Sequence, residues 1–249
     1  MDKVYYEEYF DLERKHWWFR ARKEIIRSQL DKNLKKHNSE VLNVGAATGE
    51  TSSLLSAYGK VTSVEYDQDC CRFVKEKLGL DFIPASITAL PFKDNQFSVV
   101  TAFDVIEHVK EDNVAVSELM RVCSPGGLIA VTVPAFNFLW SRHDDVNHHE
   151  RRYKRKSLEK LFEVQRGKII FSSYFNTILF LPVAMTRILA NIFPFIVRRK
   201  GSGSDFSYSG GKISSFLFYR MMKSETFFLD RGIAFPFGIS LILLFRKDN

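Results

Sequence analysis

The feature that most constrains this chain is an apolar run that breaks into small residues, VLNVGAATG at positions 41–49. The run predicts a buried parallel strand, and the pattern over residues 51–55 is typical of a helix. A strand, a tight glycine turn and a helix form the unit in which bare backbone approaches a nucleotide-like ligand. The turn therefore predicts a nucleotide-type site, with an ordinary strand-to-helix connection as the alternative.

A carboxylate lies at the spacing that such a site requires. The next predicted strand, residues 61–64, leads into Glu65, which is twenty positions after Gly45. A carboxylate at this place accepts hydrogen bonds from the two hydroxyls of a ribose. We therefore assign Glu65, and Tyr66 beside it, to a nucleoside-containing cofactor.

The glycine turn and Glu65 together resemble the first two motifs of the class I S-adenosylmethionine-dependent methyltransferases. The resemblance implies S-adenosylmethionine as the cofactor and assigns Gly45, Ala47 and Gly49 to it. The family usually has Asp where this chain has Asn43, and Gly where it has Ala47. Asn43 therefore lacks a charge expected near the cofactor's cationic end, and alanine at position 47 is expected to need a negative φ.

The resemblance implies an α/β fold, with a Rossmann-like, seven-stranded, mostly parallel sheet, an antiparallel last strand and a helical cap. In this fold the last strand inserts between the fifth and sixth strands. We predict one methyltransferase domain over residues 1–249. Its parts are an N-terminal helical lid (1–40), the core sheet (41–174), a helical insertion or cap (175–235) and the last strand (236–249).

Periodicity and capping residues predict the local boundaries. Asp67 is expected to cap a helix that ends at Gly79, and Asp112 to cap another. Four further expectations concern residue ranges: a helical pattern over 5–30, a helix over 213–229, a third strand at 81–83 and a turn at 124–127.

Two further groups extend the expected cofactor site. Residues 85–100 are similar to the family's adenine loop, where an Asp commonly reads the adenine amino group. That position is Ser86 here, and Ile87 would add a backbone contact and apolar packing. Ligands bind at the carboxyl ends of strands in such sheets, so Asp104 and Val105, after the fourth strand, are assigned to the cofactor as well.

His108 is the candidate general base, because an imidazole with a reference pKa near 6.5 suits proton removal from a hydroxyl. The alternative is a histidine that caps a helix or lines a pocket wall. The segment DVIEH at 104–108 also resembles metal-assisted members of the superfamily, in which a Glu-His pair and a later His hold a divalent ion. The later candidates in this chain are His143, Asp144, His148, His149 and Glu150. By that resemblance Glu107 and His149 join His108 as catalytic candidates; a metal-free site is favoured.

Residues 5–30 carry aromatic and basic residues at helical spacing. One interpretation is an amphipathic helix packed over the sheet; the other is a lid, with Trp18 and Phe19 over the cofactor and Arg22 on a carboxylate. The segment from Glu13 to Arg22 is similar to the entry helix of bacterial methyltransferases related to ubiquinone-pathway O-methyltransferases. Trp18 and Arg22 are therefore cofactor candidates.

Residues 134–153 combine His, Arg, Asp and aromatic side chains without apolar periodicity. Their place beside the strand tips favours contacts with a substrate over a solvated loop, and arginines suit phosphate or carboxylate groups. The same bacterial branch has a similar segment. The substrate candidates are Trp140, His143, Arg151, Arg152 and Tyr153.

Composition limits the partners and the compartment. The net charge of +7 and the pI near 9.2 favour anionic partners. Three cysteines, two of them adjacent, favour a reducing cytoplasm. The apolar run 175–197 ends at the basic residues 198–200, which favours an interfacial or lid helix over a membrane span. Peripheral contact of this helix with the inner membrane face therefore stays open. After the basic residues, the sequence predicts a flexible loop at 201–211.

The sequence predicts an S-adenosylmethionine-dependent methyltransferase that acts at an oxygen of a small-molecule or lipid-linked acceptor, such as a sugar or a quinone-like phenol. Two alternatives remain open. An RNA methyltransferase would use the positive charge, although no recognition motif for nucleic acid is present in the sequence. A non-catalytic cofactor-binding protein would explain the departures at Asn43, Ala47 and Ser86 together.

Overall fold

The computed structural model describes residues 3–34, 38–192 and 211–249. The basic residues at 198–200 and almost all of the glycine- and serine-rich loop at 201–211 lie outside the described residues. The same holds for residues 35–37 between the N-terminal helices and the first strand.

The centre of the molecule is a seven-stranded sheet of order β3-β2-β1-β4-β5-β7-β6. β1 to β5 run parallel, and β7 lies antiparallel between β5 and β6. This confirms the predicted fold class, including the place of the last strand. The strands are β1 (Ser39–Val44), β2 (Gly59–Glu65), β3 (Ile83–Pro84), β4 (Phe97–Phe103), β5 (Cys123–Pro134), β6 (Gly167–Phe175) and β7 (Ser240–Lys247).

Helices cover both faces of the sheet. In chain order they are α1 (Lys3–Lys15), α2 (Trp17–Asn33), α3 (Glu50–Leu55), α4 (Gln68–Leu78), α5 (Asp112–Val122), α6 (Arg142–Val146), α7 (Arg155–Glu163), α8 (Phe180–Ile192), α9 (Lys212–Ser224) and α10 (Thr226–Leu229). Two short 3₁₀ turns, Ile106–His108 and Asn137–Leu139, follow β4 and β5. Among the described residues no helix is long and apolar enough to cross a membrane.

Two large apolar clusters sandwich the sheet. One cluster joins α5 and α7 to one face, through residues such as Leu119 and Phe162. The other joins α2, α3 and α9 to the opposite face, through residues such as Ile25, Leu55 and Met222. Burial of these apolar side chains from water is the main driving force that holds helices to the sheet.

Two predicted helices are interrupted, each by a polar side chain that binds backbone. The pattern over 5–30 forms α1 and α2, because His16 accepts a hydrogen bond from the Trp18 amide and so caps α2. The pattern over 213–229 forms α9 and α10, which meet at Glu225. The buried Glu225 carboxylate accepts from the amides of residues 176–178, which ties this junction to the end of β6.

Three other local expectations need correction, and one is confirmed. The third strand comprises residues 83–84 rather than 81–83, and residues 124–127 extend β5 instead of forming a turn outside it. Glu111, not Asp112, is the N-cap of α5, and the Asp112 carboxylate accepts from the Tyr153 hydroxyl. Asp67 does cap α4, and Gly79 ends that helix in the left-handed conformation.

Candidate active site

The turn after β1 is built from backbone in the left-handed region. Gly45 has φ +69°, and a Cβ added there would lie 2.4 Å from the Val105 Cγ2 atom. Only glycine fits this contact, because a side chain would meet both conformational strain and Val105. Gly49 has φ +93° at the start of α3. The first loop, as we call residues 45–49, therefore obtains its shape from its backbone conformation at the tip of the sheet.

One expectation about the first loop is wrong. Ala47 has φ +46°, although the sequence argument required a negative value. The conformation persists because the Ala47 amide donates to Glu65 Oε2 at 2.9 Å. Asn43, just before the loop, is buried and bonded to Thr51, Ser52 and Thr101, so its amide joins β1 to α3 and β4.

Glu65 lies where the ribose carboxylate was predicted, at the end of β2. Its Oε1 accepts from the Asp67 amide at 3.1 Å, while its Oε2 holds Ala47. Burial raises the pKa of Glu65, and the backbone hydrogen bonds oppose that shift. A carboxylate has about four acceptor positions, so acceptor capacity remains for a diol. Tyr66 beside it is exposed.

The predicted adenine loop follows β3. The Ser86 hydroxyl lies 2.8 Å from Thr88 Oγ1 and accepts from the Thr88 amide. Ile87 is buried in the apolar cluster with α5, so its side chain is part of the core. The Ala85 amide donates to the Glu65 carbonyl, which places this loop beside Glu65.

Helix α2 reaches the strand tips through Arg22. The guanidinium is buried, pairs with Asp104 after β4 and donates to Thr132 Oγ1 of β5 at 3.1 Å. Asp104 has φ +57° and also accepts from Thr132 at 3.2 Å. The Arg22 Cζ atom lies 5.4 Å from the centre of the Trp18 ring. The N-terminal helices therefore form one wall of the candidate site.

Helix α1 also closes over the first loop. The Glu13 carboxylate is buried and accepts from the Thr48 hydroxyl, while Arg14 Nη2 donates to the Thr48 carbonyl at 3.1 Å. The Tyr6 hydroxyl donates to Asp67 at 2.7 Å, near the end of β2. Burial raises the pKa of Glu13 to about 7. Sequence reasoning gave α1 no such contacts, since short polar pairs between distant segments leave no periodic signal.

The turn after β4 presents a buried acid and an imidazole. Glu107 is fully buried, and among the described residues neither of its carboxylate oxygens has a hydrogen-bond partner. Burial, and then the charge of Asp104, raises the pKa of Glu107 well above its usual value. Burial, and then the charge of His149, lowers the pKa of His108 to about 4. His108 is therefore neutral at physiological pH, although the sequence expectation was a value near 6.5.

A second set of polar groups forms around Asp144, in the segment after β5. Asp144 Oδ1 binds His149 Nδ1 at 2.8 Å and Arg152 Nε at 2.7 Å. Its Oδ2 binds Arg152 Nη2 at 3.0 Å and the Ser141 amide at 2.7 Å. Burial alone would raise the pKa of Asp144, but the bonds from His149 and Arg152 lower it further than burial raises it. The carboxylate therefore stays ionised.

The Asp144 carboxylate orients the His149 ring. Since an ionised carboxylate only accepts, His149 donates its Nδ1 proton to Asp144, and Nε2 is the ring nitrogen that this carboxylate does not engage. The ring lies edge-on to His108, with centroids 4.6 Å apart. Sequence reasoning missed Asp144 as the residue that orients His149; the available signal was the spacing of Asp144, His149 and Arg152 within one polar segment.

Glu107, His108 and His149 form a potential metal-binding group. One ligand atom from each can be chosen so that all three lie within 4.8 Å of one another. A buried carboxylate without a hydrogen-bond partner fits a cation, because an unpaired charge is costly in the interior. One carboxylate and two imidazoles suit a first-row divalent ion. The residues that the resemblance implied as ligands are thus brought together by the fold.

The five predicted substrate residues divide into two groups. Arg152 and Tyr153 are buried: Arg152 holds Asp144, and the Tyr153 hydroxyl donates to Asp112 at 2.8 Å. In this structure neither side chain is free to face a substrate. The other three are partly exposed at the edge of the segment, where each has a protein partner: Trp140 with Asp145, His143 with Asn147, and Arg151 with Asp112.

Comparisons with known proteins match the same part of the chain. Residues 42–131 match the family model of a methyltransferase domain. A demethylmenaquinone methyltransferase of Renibacterium salmoninarum is 36% identical over 93 residues, which are 36% of this chain and 39% of that protein. The ubiquinone/menaquinone biosynthesis C-methyltransferase UbiE of Shewanella halifaxensis is 26% identical over 133 residues, 49% of this chain and 51% of that protein. The chain thus spans about half, or less, of the length of these relatives.

A likeness in structure extends further along the chain. A methyltransferase from Aquifex aeolicus, described as dependent on S-adenosylmethionine, has a TM-score of 0.53 at 17% identity. The superposition covers 70% of this chain and 93% of that chain. At this identity the likeness shows a shared fold.

Proposed function

Because this chain belongs to the class I S-adenosylmethionine-dependent methyltransferases, we propose that it transfers a methyl group from S-adenosylmethionine to an oxygen of a small-molecule or lipid-linked acceptor. The observation that carries this proposal is the His149 ring, which Asp144 orients and which faces His108 at the end of β4. A base with a fixed lone pair beside the strand tips suits removal of a proton from an acceptor hydroxyl.

One part of the site binds the cofactor, and another accepts the proton of the acceptor. The cofactor supplies an electrophilic methyl group on a sulfonium. The first loop and Glu65 hold its nucleoside, and the Arg22–Asp104 pair lies at the neighbouring strand tips. His108 is neutral at physiological pH because its pKa is lowered to about 4, so it is suited to accept the acceptor's proton. His149 lies beside it, oriented by Asp144. Displacement at a methyl group depends mainly on alignment, so the protein chiefly positions the two reactants.

The cofactor part is tested by Glu65→Ala. Loss of charged hydrogen bonds to a ribose is expected to weaken S-adenosylmethionine binding by about 2–4 kcal/mol in isothermal titration calorimetry. Glu163→Ala is the matched control, because Glu163 is exposed at the end of α7. Unchanged affinity in a folded Glu65→Ala protein would contradict the assignment.

The acceptor is proposed to be a phenol or sugar hydroxyl, free or attached to a lipid. The relatives above are named for methylation in menaquinone and ubiquinone biosynthesis, one of them at carbon. A phenolate can react at oxygen or at a ring carbon, and both reactions need the proton removed first. Transfer of a labelled methyl group to a panel of hydroxylated quinols, followed by NMR of the product, distinguishes an ether from a C-methyl product.

A metal-assisted version is the second candidate, and the partnerless Glu107 carboxylate favours it. A divalent ion held by Glu107, His108 and His149 would lower the pKa of an acceptor hydroxyl. His108→Ala is expected to reduce the rate by about 10²–10⁴ in the base version and to leave cofactor binding nearly intact. Full activity in that variant would contradict both versions.

Glu107→Gln separates the two versions. If His108 and His149 act as bases, the variant keeps its activity, and EDTA has no effect. If they hold an ion, the variant loses activity, EDTA abolishes turnover, and Mn²⁺ binding measured by calorimetry weakens. The metal titration needs no turnover, so it reports on the site even when the acceptor is unknown.

Two other outcomes would change the proposed class. Steeply salt-dependent binding of RNA would favour an RNA methyltransferase, since phosphate contacts release counterions. Cofactor binding without transfer to any acceptor would favour a non-catalytic cofactor-binding protein. A cytoplasmic location is part of the proposal, and fractionation of cells checks it.

A further inference from the structure

Helix α8 turns its apolar side chains outward. Leu181, Met185 and Leu189 are 66%, 62% and 49% exposed, and Ile188 beside them is also exposed. Residues four apart lie above one another on a helix, so these side chains form one continuous stripe. Helices on a protein surface normally present charged and polar residues to water along that face.

The charged residue of α8 points the opposite way. Arg187 is the one charged residue in the sequence of this helix. Its guanidinium is buried, and Nη1 donates to the Leu139 carbonyl at 2.6 Å. This bond fixes the rotation of α8, so the apolar stripe faces outward because the polar contact faces inward.

The apolar surface continues to the edge of the candidate active site. The Phe180 ring, at the start of α8, lies 5.2 Å from that of Phe237 and 6.3 Å from that of Phe138. Phe138 and Phe237 are both exposed. Phe138 belongs to the segment after β5, two residues before Trp140. A surface covering α8 would therefore also adjoin the segment that carries His149.

The charge of the same part of the chain is positive. Besides the buried Arg187, residues 175–235 contain seven Lys or Arg and three Asp or Glu. Two of those acids are engaged within the protein: Glu225 accepts three backbone amides, and Asp230 accepts from Ser28 of α2. Lys212 and Arg220 of α9 are exposed. An apolar stripe accompanied by cations complements a surface that is anionic outside and apolar beneath.

We propose that the outward face of α8 docks on an anionic phospholipid bilayer, with Leu181, Met185 and Leu189 in the interface. The helix carries Arg187 near its middle, buried against the protein, and a charged residue at this place in a membrane span is costly. The helix therefore lies along the surface. The role of this docking rests on the proposed function: docking brings the site to an acceptor that is anchored in lipid.

The test uses flotation of the full chain with vesicles of phosphatidylglycerol and phosphatidylcholine, and with phosphatidylcholine alone. The wild-type protein is expected to float with the anionic vesicles at low salt. The double variant Met185→Ser and Leu189→Ser is expected to partition at least tenfold less, because it removes apolar area without changing charge. The matched control is the pair Val164→Ser and Leu80→Ser, which are also exposed but lie away from α8.

Three results would overturn the inference: no flotation of the wild type, equal flotation of both double variants, or full release by salt with no effect of the serines. A fourth would be a dimer that the α8 variant converts to a monomer without any vesicle binding, since a second copy would then cover the face. Calorimetric binding of S-adenosylmethionine by the α8 variant is expected to be unchanged. Failure of the wild type to bind that cofactor would instead contradict the proposed function.

Discussion

Glu13 and Asp144 are two buried carboxylates on opposite sides of the candidate site, and their ionisation differs. Glu13 of α1 contacts the first loop and has a pKa raised to about 7 by burial. Asp144, in the segment after β5, has its pKa lowered, although burial alone would raise it. The difference lies in their partners: Glu13 receives a neutral hydroxyl, whereas Asp144 receives the Arg152 guanidinium and the His149 ring.

The comparison separates two ways to build a site. The first loop obtains its shape from backbone conformation, with α1 placed over it by weak polar contacts. The segment after β5 obtains its shape from an ion pair in the interior, which holds only while both partners are present. We therefore expect the second to be the more sensitive to a single change of charge.

Asp144→Asn tests this expectation most directly. The change leaves the shape nearly intact but leaves the buried Arg152 cation without its counter-charge. Urea denaturation is expected to show a loss of about 3–5 kcal/mol in the free energy of unfolding. His149 would also lose the anion that fixes its tautomer, so methyl transfer should fall as well.

Asp145→Asn is the matched control for that change. Asp145 is the next residue, is exposed and accepts from the Trp140 indole at 2.8 Å. We expect a loss within about 0.5 kcal/mol, as for other surface changes. Equal losses in the two variants would show that the segment depends on its charge in general and not on the buried pair.

Gly45→Ala tests the backbone-built loop. The alanine would adopt φ +69° and place a methyl group against Val105, so strain and overpacking add to about 2–4 kcal/mol. Gly79→Ala is the control, because Gly79 has the same φ but open space around the added Cβ. It is expected to cost about 1–2 kcal/mol, which is the strain alone. Thermal denaturation measures the loss of stability in both variants, and the difference between the two losses is the cost of the contact with Val105.

Much of the fold followed from local patterns. Alternating strand and helix segments, with turn residues between them, indicated the parallel sheet, and Gly45 and Glu65 were found by spacing alone. The placement of β7 between β5 and β6 came from the resemblance to the family and not from the pattern itself. These features depend on residues that are close in sequence, where periodicity and spacing are informative.

The features that sequence reasoning missed depend on contacts between distant residues. A polar segment looks the same whether its arginines face water or a buried carboxylate, so Arg152 was assigned to a substrate instead of to Asp144. Likewise, the apolar run at 175–197 indicated a lid or an interfacial helix, but only the inward bond of Arg187 shows which side of α8 faces outward. Which face of a helix points outward depends on tertiary contacts, and the composition of the segment does not determine it.

Glu13→Gln gives the smallest effect, and its dependence on pH identifies the cause. Because the folded-state pKa of about 7 lies above the ordinary glutamate pKa of 4.5, the folded protein binds this proton more tightly than the unfolded chain does. The stabilisation is therefore complete below about pH 4.5 and is lost as the pH rises to about 7. Relative to Glu13→Gln, the wild type is expected to lose about 1–3 kcal/mol over that range.

Glu7→Gln is the control, because Glu7 lies on the same helix but is exposed and paired with Lys77. Urea denaturation of the three proteins at several pH values between 4 and 8 measures the difference. The wild type and Glu7→Gln should follow the same curve, whereas Glu13→Gln should lack the decline from pH 4.5 to 7. A decline of equal size in all three proteins would mean that Glu13 is ionised in the folded state throughout. The first loop would then share the ionic character of the segment after β5, and the contrast between the two would not hold.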